Sequence, residues 1–282
     1  MVSESFFISV TLPYMTYGEW LLEATEQIEK TGSKTPRLDA LLLLELVSGL
    51  GRAQVLAMNR DKLSVMRQGK LNKLVQRRVA GEPIAYIAGQ KEFYGRDFIV
   101  NKWVLVPRPE SEAFLSLLAA LRKKERVHNL LDLGTGSGIL AITAKLEHPD
   151  MYVTATDTSE DALKIAAQNS LRHEAAVTFK VQNLLAGDKE GYDVIFANLP
   201  YVPTGPEPDP SIAMEPVEAL FSGVDGLDHY RQFFSQLEPK HIRFVMTESL
   251  FSQHDAVSAL AKEANYSLAE SEGLIQLFTK NQ

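Results

Sequence analysis

The chain has 282 residues, 45% hydrophobic and 23% charged, an ordinary globular balance with room for about two domains of roughly 150 residues each. Its 29 basic and 36 acidic side chains leave a formal charge of −7, a poor default for gripping a phosphate backbone, so direct nucleic-acid binding is not expected. The absence of cysteine excludes disulfides, thiolate nucleophiles and cysteine-ligated zinc.

Histidines stand at His128, His148, His173, His229, His241 and His254, none three to five residues from another, so no helical or finger-type metal pair is formed and no metal is expected. No run reaches the roughly 18 apolar residues of a membrane span. The start, Phe6 to Val10, is apolar but short, follows the acidic Glu4 and lacks a positive leader. A cytoplasmic chain without a membrane partner is expected, and a monomer.

Residues 17 to about 80 read as helices. Trp20, Leu21, Ala24 and Ile28 recur at helical spacing before Gly32. Arg37 to Leu50 carries the apolar run Leu41 to Leu44 and closes on Gly49 and Gly51. Leu71, Leu74, Val75 and Val79 form another stripe, ended by Gly81 and Pro83. Such stripes are packing surfaces, and a small helical bundle accounts for them. From Pro83 to Val106 the texture changes: Ile84, Tyr86, Ile87, Phe93, Tyr94, Phe98 and Val100 alternate with Gly89 and Gly95, which predicts a β-hairpin bridging two domains. A helix from about Glu110 to Lys123 follows Pro107 and Pro109.

The remainder alternates strand and helix. Strands are predicted at Asn129–Leu133, Tyr152–Thr156, Thr178–Val181, Asp193–Ala197 and Arg243–Thr247, with a last pair at Ser267–Glu270 and Leu274–Lys280. Helices are predicted at Ile139–Leu146, Glu160–Asn169, Leu227–Leu237 and Gln253–Ala264. The alternation points to an α/β, doubly wound sheet with helices on both faces. Pro203 to Pro216, with five prolines, reads as an irregular loop.

The densest signal is Leu130-Leu131-Asp132-Leu133-Gly134-Thr135-Gly136-Ser137-Gly138-Ile139, a buried strand running through three alternate glycines into a helix. Glycines there let the backbone pass close to a ligand, and the helix start adds unpaired N–H groups. Dinucleotides favour Gly-x-Gly-x-x-Gly, with the third glycine one place later. The earlier third glycine, and Asp132 just before the loop, suit the cationic amino-acid end of S-adenosylmethionine better than a pyrophosphate. That donor is the expected cofactor, with S-adenosylhomocysteine as product, held over Asp132, Gly134, Thr135, Gly136, Ser137 and Gly138. The next strand ends at Asp157, where a carboxylate can accept the ribose hydroxyls; the competing role is a helix cap, which Thr158-Ser159 can also fill. After the third strand come Gln182-Asn183-Leu184. Asn183 can hydrogen-bond the adenine edge or serve as a turn residue, and the sequence leaves both open.

The fourth strand ends in Ile195-Phe196-Ala197-Asn198-Leu199-Pro200-Tyr201. Ligands of open parallel sheets bind beyond the carboxyl ends of the strands, so Asn198 should face the donor's methyl group. An amide or exocyclic amine is planar, with a delocalised lone pair, and both N–H bonds must be held for the nitrogen's face to meet the carbon. The Asn198 side-chain oxygen and the Leu199 carbonyl can accept those hydrogens, Pro200 stiffens the turn, and Tyr201 can stack on the planar group. Aligning both reactants supplies most of the rate. The competing reading is a plain turn.

Together these residues resemble the HemK-type family of protein glutamine methyltransferases, over nearly the whole chain. Arg37-Leu38-Asp39-Ala40 and the leucines after it resemble that family's N-terminal helical domain. Glu82 to Gly89, then Glu92-Phe93-Tyr94-Gly95 and Phe98, are similar to its linking hairpin. Pro107-Arg108-Pro109-Glu110-Ser111-Glu112 is similar to its next motif, with Ser where Thr is usual, and Glu215-Pro216, Ala219-Leu220 and Gly223 to Leu227 match a later segment. The resemblance implies a helical substrate-recognition domain at 1–82, a hairpin linker at 83–106 and a seven-stranded, mostly parallel methyltransferase domain at 107–282. It implies as partner a peptide-chain release factor, methylated on the glutamine of a Gly-Gly-Gln loop. It places the cofactor over Gly134 to Gly138, Asp157, Asn183 and Leu184, reaching Asn198, and the target amide at Asn198, Leu199, Pro200 and Tyr201. Leu199 stands where the family has proline, Asn183 where it has aspartate, and the end from Glu270 lacks its usual basic-acidic signature. Asn-Leu-Pro-Tyr is also similar to the motif of rRNA adenine dimethyltransferases, so RNA adenine methylation is the alternative activity. A binding module without catalysis is a third reading.

Overall fold

The computed structural model describes residues 14–205, 212–237 and 241–281. The apolar start and the middle of the proline-rich loop therefore lie outside the described residues. The chain divides into two compact units, one built from its first 88 residues and a short later segment, the other starting at Gly89.

The first unit holds α1 (Tyr17–Glu29), α2 (Pro36–Ser48), α3 (Arg52–Ala57), α4 (Val65–Val79) and α5 (Ile84–Ala88). A reciprocal cap starts α1, with Glu19 N–H donating to Thr16 Oγ1 and Thr16 N–H to the Glu19 carboxylate. Gly49 ends α2 in the left-handed conformation. The predicted stripes meet inside: Trp20, Ile28, Leu43, Leu44, Leu71 and Val75 are buried in one cluster. Within it Arg78 pairs with the buried Asp39 at 2.8 Å. One expectation is corrected here. Ile84, Tyr86 and Ile87 belong to a helix, not to the hairpin, since the Tyr86 and Ile87 N–H groups both donate to the Pro83 carbonyl. Ile84 and Ile87 are three apart, a helical spacing that short alternation cannot exclude.

The second unit begins with β1 (Gln90–Phe93) and β2 (Arg96–Ile99). A 3₁₀ turn, Pro109–Glu112, leads into α6 (Ala113–Lys124). Then follow β3 (Asn129–Leu133), α7 (Ile139–Glu147), β4 (Tyr152–Asp157), α8 (Glu160–Arg172), β5 (Thr178–Val181), β6 (Val194–Ala197), α9 (Val217–Leu220) and α10 (Asp228–Ser235). β7 (Phe244–Glu248), α11 (His254–Glu263), β8 (Tyr266–Glu272) and β9 (Ile275–Lys280) complete it. The seven-stranded sheet runs β5-β4-β3-β6-β7-β9-β8, parallel through β7 and antiparallel across β9 and β8. β3, β6 and β7 are buried along almost their whole length, as helices on both faces of the sheet require, whereas the edge strand β8 is largely exposed. Leu130, Phe196 and Met246 enter one core with α6 and α7, while Leu131, Ile195 and Val245 enter the other with α10 and α11.

The hairpin β1–β2 is part of this second unit rather than a separate linker. Phe93 and Phe98 are fully buried in its core. The buried Asn169 of α8 accepts from the Ile99 N–H at 2.7 Å and donates to the Ile99 carbonyl at 3.0 Å and the Ser137 carbonyl at 2.8 Å. One amide thus clips the hairpin to the glycine loop. Strand order reverses between β3 and β6, so the carboxyl ends of those two strands open the crevice where such sheets bind ligands.

Candidate active site

The glycine loop and the Asn198 turn leave adjacent strands side by side, because Leu133 pairs with Ala197 in the β3–β6 register. Both border one open cleft, which Trp103, Asp157, Asn183, Leu184, Pro200 and His229 also line. A second, smaller cavity lies against Asp132, Thr135, Ser137, Arg108 and Ser111, and Gly134, Gly136 and Asn198 border both. Asn198 therefore stands on the wall the two cavities share.

The three glycines have left-handed φ angles, +67° at Gly134, +54° at Gly136 and +82° at Gly138. Their roles differ. Gly134 and Gly136 border the cavities, and the open side of Gly134 faces the Asn198 carbonyl. Gly138 borders neither. A Cβ on it would sit 2.9 Å from Ile142 Cδ1 and 3.0 Å from Ala166 Cβ, so the third glycine lets α7 pack on α8. The missing side chain of Gly138 is thus matched by a neighbouring helix.

Asp132 is buried at the end of β3, where Thr135 Oγ1 donates to its Oδ2 at 2.6 Å. Desolvation pushes its carboxyl up to about 7, against the Thr135 hydroxyl and the Ala141 N–H, which favour the charged form. Such a group gains most from a cation placed against it. Asp157 ends β4, with Oδ2 accepting from the Gly136 N–H and Oδ1 from the Ser159 N–H, both at 2.9 Å. Ser159 Oγ takes the capping bond of α8, from the Ala162 N–H, so the helix start does not need Asp157 as its cap. Asn183 is exposed on the cleft wall and its carbonyl closes a turn onto the Ala186 N–H. Leu184 beside it is buried at φ +48°, held by Gln182 Nε2 donating to its carbonyl at 2.6 Å.

The Asn198 turn is held by side chains from distant parts of the chain. Asn198 Nδ2 donates to Ser111 Oγ at 3.2 Å and to Glu248 Oε2 at 3.0 Å. Ser111 Oγ donates to the same Oε2 at 2.6 Å, and the Tyr201 hydroxyl to Glu248 Oε1 at 2.9 Å. Both amide hydrogens are taken up, which leaves Asn198 Oδ1 as the accepting end. Glu248 is 1% exposed, and burial holds its carboxyl above the usual carboxylate range against the Ser111 and Tyr201 hydroxyls. The Tyr230 hydroxyl, fully buried beneath the turn, lies 2.8 Å from the Ala197 carbonyl and 2.5 Å from that of Glu248, and its oxygen takes the Leu199 N–H. Gln253 Nε2 donates to the Tyr201 and Asp225 carbonyls, both at 2.9 Å. A Cβ on Gly226 would meet the Tyr201 carbonyl at 2.2 Å, so only glycine fits there. Leu199 is buried against Gly134, and the Tyr201 hydroxyl is satisfied by Glu248.

Glu248, Ser111, Tyr230 and Gln253 carry the site's support, and none was a predicted site residue. A signal existed for Glu248: an acid closing a largely apolar, buried strand needs partners or a proton. Ser222 offers another contact: its Oγ lies 2.7 Å from His229 Nδ1 and accepts from the His229 N–H at 2.9 Å, which fixes the imidazole's orientation on the cleft wall.

Among the described residues no cluster of ligating side chains suits a metal ion, and no helix is long and apolar enough to cross a membrane. Residues 19–89 match the family described as PrmC N-terminal domain, and residues 111–219 the methyltransferase small domain. The release factor glutamine methyltransferase of Coxiella burnetii is 36% identical over 255 residues, covering 86% of this chain and 91% of the relative. That of Neisseria gonorrhoeae is 37% identical over 265 residues, covering 91% and 92%. Of solved structures, the hMettl16 catalytic domain in complex with an RNA hairpin overlays with a TM-score of 0.50 at 15% identity, covering 65% of this chain and 74% of that one, a likeness of fold alone. The chain is thus a methyltransferase that belongs to the release factor glutamine methyltransferase family.

Proposed function

We propose that the protein transfers a methyl group from S-adenosylmethionine to the side-chain amide nitrogen of a glutamine on a peptide-chain release factor. The observation that carries this reading is the committed orientation of Asn198. Its nitrogen is held by Ser111 and Glu248 on the wall that the two cavities share, so its oxygen is what a primary amide meets.

The donor set fits the cofactor. Asp132 offers a buried carboxylate to an ammonium group, Asp157 keeps lone pairs for ribose hydroxyls, and the 182–184 turn lines the cleft where a planar base can lie. When bound, the cofactor supplies a methyl group made electrophilic by the sulfonium charge. The protein's task is to aim the amide. Asn198 Oδ1 and the Leu199 carbonyl accept its two hydrogens, which turns the face of the nitrogen toward the methyl carbon. Leu199 in place of proline keeps that carbonyl, and its buried side chain fills the space beside Gly134. As the C–S bond breaks and the N–C bond forms, the positive charge passes from sulfur to the amide nitrogen, whose N–H becomes strongly acidic and releases its proton to solvent, so no strong base is needed at the attack step.

The test is transfer of label from tritiated S-adenosylmethionine to purified release factor, with its loop glutamine intact or changed to alanine, and to ribosomal RNA in a parallel tube. Label confined to the intact factor is expected. Equal label on both factors, or label on the RNA, refutes the reading.

A further inference from the structure

We infer that Glu248 is a positioning residue whose ionised carboxylate decides which end of the Asn198 amide faces the target, an inference that rests on the glutamine transfer proposed above. Three donors converge on this one buried group: the Ser111 and Tyr201 hydroxyls and the Asn198 amide nitrogen. An ionised carboxylate only accepts hydrogen bonds. Rotating the Asn198 amide by half a turn would set its Oδ1 against Glu248 Oε2, two acceptors with no hydrogen between them, in a site where an unmade bond is expensive. The charged form therefore permits one amide orientation. The protonated form must itself donate. One of the three donors then loses its acceptor, and the rotated amide, accepting from the carboxylic acid, becomes competitive. In that rotamer Asn198 presents N–H groups to a substrate whose nitrogen also carries only N–H, and the target amide is no longer held.

The placement suits such a device. Glu248 ends β7, its carbonyl lies 2.5 Å from the Tyr230 hydroxyl of α10, and that hydroxyl also holds the backbone of the Asn198 turn. Of the charged groups facing the carboxylate, Arg108 favours its ionised form and Glu110 opposes it; both lie on the segment that leads into α6. β6 and the turn beyond it contribute Asn198 and Tyr201, and the 3₁₀ turn contributes Ser111. Burial makes the proton bind more readily than at a surface carboxylate, so the orientation is set by a titration with an accessible acid limb. Because protonation inactivates, turnover is expected to rise with pH through this group and then level off.

The experiment measures kcat for methylation of purified release factor across pH, at saturating S-adenosylmethionine so that cofactor binding drops out of the profile. Wild type is expected to show an acid limb of unit slope. Glu248→Gln is expected to lose about 10²–10³ in kcat, the size of removing one preorganised group, and to lose the acid limb, while binding S-adenosylhomocysteine as wild type does. Ser111→Ala removes a donor from the carboxylate, which disfavours its charged form, so the limb should move to higher pH while the plateau rate is retained in part. That second variant decides the matter should Glu248→Gln fail to fold. A wild-type profile without an acid limb, a limb unmoved in Ser111→Ala, or one retained in Glu248→Gln overturns the inference while leaving glutamine transfer intact. If wild type transfers no methyl group to the glutamine, the proposed function fails and this inference fails with it.

Discussion

The loop from Gly134 to Gly138 is held largely by backbone and by partners on the strands and helix around it. Gly136 N–H meets Asp157, Thr135 N–H meets the Thr156 carbonyl, and Gly138 lies against Ala166. The turn from Asn198 to Tyr201, beside it in the same cleft, is held by side chains from Ser111, Tyr230, Glu248 and Gln253, up to 87 residues away from the atoms they hold. The first region presents backbone to a ligand and tolerates little besides glycine. The second presents one amide whose direction is decided elsewhere. Binding and transfer should therefore fail separately.

The largest effect is expected from Asn198→Ala. Transfer is expected to fall about 10³-fold, as for the loss of a preorganised group, with cofactor affinity measured by calorimetry retained. A parallel loss of both would merge the two regions into one. Next, the glycines should divide among themselves. Gly138→Ala adds overpacking to left-handed strain and is expected to cost about 2–4 kcal/mol in denaturant unfolding. Gly136→Ala, with nothing within 4 Å of the added carbon, should cost only the strain, about 1–2 kcal/mol, and should weaken cofactor binding instead.

A third, smaller effect concerns pH. Asp132 is held near 7 by burial, so below that pH the empty protein carries a proton that an incoming ammonium must displace. Affinity for S-adenosylmethionine should therefore be level above 7 and fall on acidification, about tenfold weaker at pH 6 than at pH 8. Titration calorimetry in buffers of different ionisation enthalpy checks this through the proton released; a pH-independent affinity contradicts the Asp132 contact. The smallest effect is at Asn183. Its backbone already makes the turn, so Asn183→Ala should weaken cofactor binding by less than about tenfold, the worth of one exposed hydrogen bond.

The same contrast explains what could be read from the sequence. The glycine loop, Asp157 and the Asn198 turn each sit at the end of an apolar strand, and strand ends in this architecture converge on one crevice. The α/β order, the seven strands and the helical first unit were legible for a similar reason, since periodicity and glycine punctuation are local. The supporting network was not. Ser111 and Glu248 are 137 residues apart and become partners only when the 3₁₀ turn before α6 meets the end of β7. The predicted strand stopped at Thr247, one residue short, because an acid after an apolar run reads as a loop until its donors are known. Gln253 and Tyr230 looked like ordinary helix residues. Gly138 looked like its two companions, since only the position of Ala166 tells a packing glycine from a ligand-facing one. Ile84, Tyr86 and Ile87 read as part of the hairpin because the five residues of Ile84–Ala88 are too few to separate the two periods.

The atom that receives the methyl group is the most direct readout of how Asn198 aims the target amide. Tandem mass spectrometry of release factor incubated with this protein and S-adenosylmethionine should find one added methyl group, on the side-chain nitrogen of the loop glutamine, and none when Asn198 is alanine. A methyl group on any other residue, or an unmodified glutamine beside fully consumed donor, would contradict it.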